Sequence, residues 1–126
     1  MTSQKGQSLV ETALILPVLL LLLFGIADFG RVFNAYLTLD LAGREGARTA
    51  TIGATDTEIE SKIMRSISGL DGDKLQIEIL PAGKENRSSG SDVTITLSYP
   101  IDFLTPVIGQ IMDDFALDDT TVMRVE

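Results

Sequence analysis

Neither histidine nor cysteine occurs in this sequence of 126 residues. The commonest general base, the thiolate nucleophile and the usual zinc ligands are therefore missing, which leaves little for an enzyme to work with. Carboxylates and guanidinium groups remain, and one carboxylate stands in an unusual place. Glu11 lies near the front of GQSLVETALILPVLLLLLFG (residues 6–25), a stretch otherwise fit to cross a membrane. An ionised side chain in hydrocarbon costs several kcal/mol unless it is paired or held at the interface. Two readings of Glu11 follow: a carboxylate resting at headgroup level, or a charge held for pairing in an assembly. Its place near the start of a helix suits either, since a carboxylate there meets the positive end of the macrodipole, worth about 0.3–1 kcal/mol.

Other charged groups are candidates for contact rather than catalysis. Asp40, Arg44 and Arg48 are spaced four apart, with Glu45 three before Arg48. Such pairs on an exposed helix contribute about 0.2–0.5 kcal/mol each. Arg44 and Arg48 read either as a solvated face or as a contact between subunits. The acidic pairs Asp113-Asp114 and Asp118-Asp119 and the turn Asp71-Gly72-Asp73 invite a metal reading. A calcium loop needs more oxygen ligands at set spacing and a closing Glu, which none of them provides. They read as solvating, turn-forming acids, and no metal or cofactor is expected. Asn86-Arg87-Ser88 fits a glycosylation acceptor, but three residues are too weak a signal to use.

The elements that carry these groups follow from periodicity. Residues 12–27 bear no formal charge. As a helix they span roughly 24 Å, short of a hydrocarbon core about 30 Å thick. Counting from Gln7 extends the span to about 31 Å, but only with Glu11 inside it. A cleaved secretory signal would need a small-residue site after the apolar run. Instead DFGRVFNAYLTLDL continues with helical period. Pro17 interrupts one backbone bond, which membrane helices tolerate, with or without a kink. Lys5 and the amino terminus precede the span, favouring a cytoplasmic start and an exported remainder. The net charge of −8, with no basic cluster, argues against nucleic acid as a partner.

Beyond Asp28, Phe29, Val32, Phe33, Tyr36 and Leu39 make an apolar stripe at helical spacing. Gly43, Gly46, Ala47 and Ala50 form a strip without bulk, where a sheet could approach closely. Thr55 to Glu58 matches a capping box. Ile59, Ile63 and Ile67 recur every four residues, so the pattern predicts a helix over 57–68, stopped by Gly69. The period then changes to two. LQIEIL and DVTITLSYP read as strands, separated by PAGKENRSSGS, a hairpin loop too polar to pack. A helical turn or more is expected after Pro106, and the tail from Phe115 should add a third strand. The fold class is α+β: a long N-terminal hydrophobic helix, a short second helix and a three-stranded antiparallel sheet. The sheet is expected on the distal half of the first helix.

One family combines these features. GQSLVETALILP, GIADFGRVF and AGREGARTA together resemble the TadE-like pilins or pseudopilins of the tight-adherence (Flp) pilus system, a type IV pilin-like class. The likeness is dense over residues 6–50 and looser beyond, to the closing TTVMRVE. It implies a leader of residues 1–6 removed by a prepilin peptidase between Gly6 and Gln7, which makes Glu11 the fifth residue of the mature chain. Residues 7–54 are then the transmembrane and assembly helix with its extracytoplasmic extension, and 55–126 a small α+β domain. The implied partners are other pilin or pseudopilin subunits through the N-terminal helix, the peptidase and an inner-membrane assembly platform. The role of Glu11 would be to pair with the new ammonium of Gln7 on a neighbour. The implied function is pilus assembly, and hence adherence or secretion, without enzymatic activity. The implied location is a single-pass inner-membrane protein with its N-terminus cytoplasmic, or an extracellular pilus after assembly. Two rivals are an uncleaved membrane-anchored binding or sensor domain, which needs no Glu11, and an exported enzyme.

Overall fold

The computed structural model describes the backbone of residues 2–112 and 115–126, with side chains from Gln4 onward. The acidic pair at 113–114 lies outside the described residues. Among the described residues the α-helices and strands follow in the order α1 (Thr2–Thr51), α2 (Asp56–Ser66), β1 (Gln76–Leu80), β2 (Asp92–Pro100), α3 (Pro106–Ile111) and β3 (Ala116–Arg124). This is the expected α+β class, with the first helix unbroken through Pro17. The chain divides into two compact units. One comprises α1 as far as Arg31 together with the segment from Asp102 that carries α3. The other runs from Val32 to Ile101 and is completed by β3 and the C-terminal residues.

In the second unit the sheet order is β1-β2-β3, antiparallel throughout. Ile79 pairs with Ile95, and Ile95 with Thr121, so the alternating residues share one face. Val93, Ile95 and Leu97 on the central strand are fully buried. They share one core cluster with Leu39, Ala42, Ala47 and Ala50 of α1, also buried. The two glycines in this strip set how close the layers come. A Cβ on Gly46 would lie 2.6 Å from both Cγ1 and Cδ1 of Ile63 and 3.3 Å from Cδ1 of Ile95. A Cβ on Gly43 would lie 2.9 Å from Thr121 Oγ1 and 3.0 Å from Asp119 Oδ2. Backbone thus stands where a side chain would otherwise separate α1 from α2 at Gly46 and from the sheet at Gly43.

The small-residue strip, rather than the aromatic stripe, is the packing face. Phe29, Phe33 and Tyr36 remain exposed and only Leu39 of that stripe is fully buried. The reason is geometric: the sheet comes to the side of α1 where the backbone offers least bulk.

The second helix begins as expected. Thr55 accepts from the Glu58 amide and Glu58 returns a hydrogen bond to the Thr55 amide. It ends at Ser66, two residues short of the expected end at 68, with Ile67 already extended. Ile59 and Ile63 carry its buried ridge. Asp71 caps a single tight turn by accepting from the Asp73 amide, the turn-forming role expected of it. The tail is tied in at its C-terminal end: the Val125 amide donates to the carbonyl of Ser91, and the Glu126 amide to the carbonyl of Thr51.

The polar loop between β1 and β2 overturns one expectation, because it packs. Arg87 is buried at 7 % exposure. Its guanidinium donates to Asp56 Oδ1 at 2.6 Å, to the Pro81 carbonyl at 2.9 Å and to the Ala54 carbonyl at 3.0 Å. Asp56 also accepts from the Gly83 amide at 2.9 Å. Burial by itself would raise the Asp56 carboxyl; the Arg87 hydrogen bond, the Gly83 amide and the Arg87 charge outweigh it and hold the group below the usual carboxylate value. An isolated buried guanidinium would be costly, but here a charge partner and two carbonyls compensate it.

Candidate functional site: the exposed helix and its carboxylates

The first part of α1 consists of residues that a water-soluble helix would bury. Leu9, Val10, Leu14, Ile15 and Leu22 are all between 59 and 71 % exposed, and no residue from Gln4 to Phe24 is buried. The helix is long and apolar enough to cross a membrane. Leucine-rich sequence makes this helix readily, and without a partner its whole circumference stays apolar.

Gly6, Gln7 and Glu11 lie together in the opening turns of this helix. A Cβ on Gly6 would meet nothing within 4 Å. Glu11 is exposed, and among the described residues its polar contact is the Gln7 side-chain amide, which donates to Oε1 at a long 3.4 Å. That neutral, stretched bond does not neutralise a carboxylate. The arrangement leaves the Glu11 charge available to a cation from outside the chain. Thr12, by contrast, satisfies its own hydroxyl on the Ser8 carbonyl at 2.9 Å.

Arg44 and Arg48 lie near the other end of α1, one turn apart, and the structure does not bring them to Glu11. Arg44 Nε meets Asp40 Oδ2 at 3.2 Å, with the Arg44 side chain 66 % exposed. Arg48 is exposed, and among the described residues its side chain forms no ion pair with Glu45 or any other group. The Arg44 pair is a surface one, of modest worth.

Three polar residues with structural weight escaped the sequence reading. Asp119 is not a turn residue: it lies within β3 and is buried against Gly43. Burial and the neighbouring charge of Asp40 push its carboxyl above the ordinary value, against smaller opposing effects from Thr121 and Arg44. Period-two alternation from Leu117 to Met123 places position 119 inward, a signal available in the sequence but masked by the acidic pair. Asp28, the first charge after the apolar run, is 3 % exposed. Its carboxylate accepts from the Leu104 amide at 2.7 Å, the Thr105 amide at 2.8 Å and the Thr105 hydroxyl at 2.7 Å. Arg31 Nη1 stands 3.7 Å away and donates to the Asp102 carbonyl at 3.0 Å. Thr105 precedes Pro106, a helix-start signature that could have marked this contact. Arg87 offered no comparable signal within its polar loop.

Residues 6–48 match the family model described as TadE-like protein. Over that stretch the chain is similar to TadE-like proteins, the resemblance that its motifs carry. No curated protein and no solved structure matches the chain.

Proposed function

We propose that this TadE-like chain is a pilin-like or pseudopilin subunit of Tad pilus assembly, without catalytic activity of its own. A prepilin peptidase hydrolyses the Gly6–Gln7 bond, releasing residues 1–6 and leaving a free ammonium on Gln7. The mature subunit is held in the inner membrane by α1, with the sheet domain outside the cytoplasm. It then packs through that helix against other subunits and the assembly platform, in support of adherence or secretion. Glu11 of one subunit pairs with the Gln7 ammonium of the next. This neutralises both charges and sets the axial register, the best-attested use of a buried polar group.

One observation carries the reading. A carboxylate without a charge partner among the described residues stands five positions after Gly6, inside an exposed apolar helix whose sequence is TadE-like. A simple anchor has no use for that charge. Arg44 and Arg48 complete the reading as a second place where subunits touch.

The test is the intact mass of the protein extracted from membranes, with the cognate peptidase present and absent. Loss of residues 1–6 only when the peptidase is present supports the proposal. An unchanged mass in both cases favours the uncleaved anchored domain. Gly6→Leu should block processing without disturbing the helix, because position 6 has open space around it.

A further inference from the structure

The segment from Phe103 to Met112, FLTPVIGQIM, contains no charged residue and is bracketed by Asp102 on one side and Asp113-Asp114 on the other. It is also apolar on its outside. Leu104 and Val107 are each 54 % exposed, Ile111 77 % and Met112 40 %. Val107 and Ile111 are four apart and so fall on one face of α3. A loop carrying so much exposed apolar surface marks a contact site.

Its tether says what the contact is. Asp28 immediately follows the uncharged run of α1, and its carboxylate holds the Leu104 and Thr105 amides and the Thr105 hydroxyl. Arg31, one turn on, holds the Asp102 carbonyl. All four bonds lie within one compact unit, and they fix the start of α3 at the turn of α1 where the apolar run ends. On that run, Ile26 is 69 % exposed. The start of apolar α3 is thus held beside the end of the apolar run of α1. Asp102 limits how deep the segment can go, since a carboxylate remains at the headgroups.

We propose that residues 103–112 form a foot that rests in the extracytoplasmic membrane interface, inserting Leu104, Val107, Ile111 and Met112 among the outer ends of the acyl chains. Asp28 is the clasp that holds the foot beside α1. The occupant of this surface is lipid, and the contact is apolar, so it requires no anionic headgroup. Burial of Asp28 beneath the foot shields its hydrogen bonds from water, where they gain strength. The foot would fix the height and rotation of α1 at its exit from the membrane. The inference rests on the reading of α1 as a membrane helix.

The absence of tryptophan from the chain allows a direct test. Ile111→Trp introduces a single indole at an exposed position, in the full chain reconstituted in phosphatidylcholine vesicles. Leu21→Trp reports on α1 itself, and Met64→Trp on exposed α2 serves as the aqueous reference. The expected result for Ile111→Trp is emission shifted to the blue of Met64→Trp. It should be quenched more by lipids brominated near the headgroup than by those brominated near the chain terminus, at every lipid-to-protein ratio. Adding Asp28→Ala should diminish that quenching while leaving Leu21→Trp quenched. Quenching of Leu21→Trp without quenching of Ile111→Trp overturns the foot and leaves the membrane helix standing. A blue shift without bromine quenching, seen only at low lipid-to-protein ratio, assigns the surface to a second copy and also overturns it. Absence of quenching at both positions overturns the membrane reading and the foot together.

Discussion

Gly46→Ala is the smallest change that tests how closely α1 approaches α2 and the sheet. The added methyl would lie 2.6 Å from two atoms of Ile63, where ordinary carbon contacts fall at about 3.5–4.0 Å, so roughly 1 Å of displacement is required. Ile63 is fully buried, and Ile95 Cδ1 stands 3.3 Å from the same point, so the displaced side chain has no free direction. Overpacking of this kind costs about 1–3 kcal/mol. Alanine returns about 0.8–1 kcal/mol through helix propensity. With both clashing atoms in one buried side chain, the upper part of the range applies, and the net loss should be about 1–2 kcal/mol. A 60–100-residue domain shifts by about 4–8 °C per kcal/mol. The urea midpoint in detergent micelles can be read from tyrosine fluorescence, which no tryptophan obscures here. Gly30→Ala is the control: its methyl meets nothing within 4 Å, so the midpoint should not fall. Ile63→Ala alone should cost about 2–5 kcal/mol. The double variant should lose less than the sum of the two, by about 0.5–3 kcal/mol, because the new methyl enters the space that Ile63 vacates. Strict additivity, or a Gly46→Ala that raises the midpoint, would refute the close-approach argument.

Two further predictions concern the buried charges. Arg87→Met leaves Asp56 without its cation; breaking a wholly buried pair costs about 3–5 kcal/mol. Asp56 is 35 % exposed, so roughly 2–3 kcal/mol is expected, measured as the shift in urea midpoint. The Asp56 carboxyl titrates below its unfolded value of 3.8, so its contribution is complete above that value and is lost as the pH falls through the lower folded one. Arg87→Met should therefore narrow the difference between neutral and acid stability. Asp119 has the opposite sign: its folded value lies above 3.8, so its contribution is greatest at low pH and declines as the pH rises through the raised value. Asp119→Asn should stabilise the sheet domain at neutral pH, with the gain disappearing in acid; a loss at neutral pH would show that the carboxylate is needed where it lies.

The sequence carried the secondary structure because its local signals agree. The capping box at Thr55–Glu58, the four-residue recurrence of Ile59 and Ile63 and the alternation in both hairpin strands each specify one element. The small-residue strip at 43–50 also identified the packing face correctly, since absence of bulk is written directly in residue type. Less visible were the contacts between residues far apart in the chain. Asp28 and Thr105 are 77 positions apart, and Asp56 and Arg87 are 31 apart. Neither pairing has a period or a motif. A lone Asp after an apolar run reads as a solvated boundary, and an Arg in a polar loop reads as exposed, until tertiary structure supplies the partner. The aromatic stripe makes the same point: hydrophobicity at helical spacing says that a face is apolar, not what covers it. Gly6, Gln7 and Glu11 were legible as a pattern, but the role proposed for them depends on a neighbouring subunit.

The central claim is that Glu11 works as a charge in assembly, and Glu11→Gln tests it most directly. The substitution removes the charge while keeping size and hydrogen bonding, including the contact with Gln7. Surface-filament yield and co-purification of partner subunits should be compared with wild type at matched membrane levels. Insertion should be intact, because an uncharged side chain is cheaper in hydrocarbon. Assembly should fall by roughly two to three decades in association constant, the equivalent of about 3–5 kcal/mol for an ammonium left unpaired in low dielectric. Wild-type assembly by Glu11→Gln would contradict the account and return Glu11 to the membrane interface as a carboxylate without a partner.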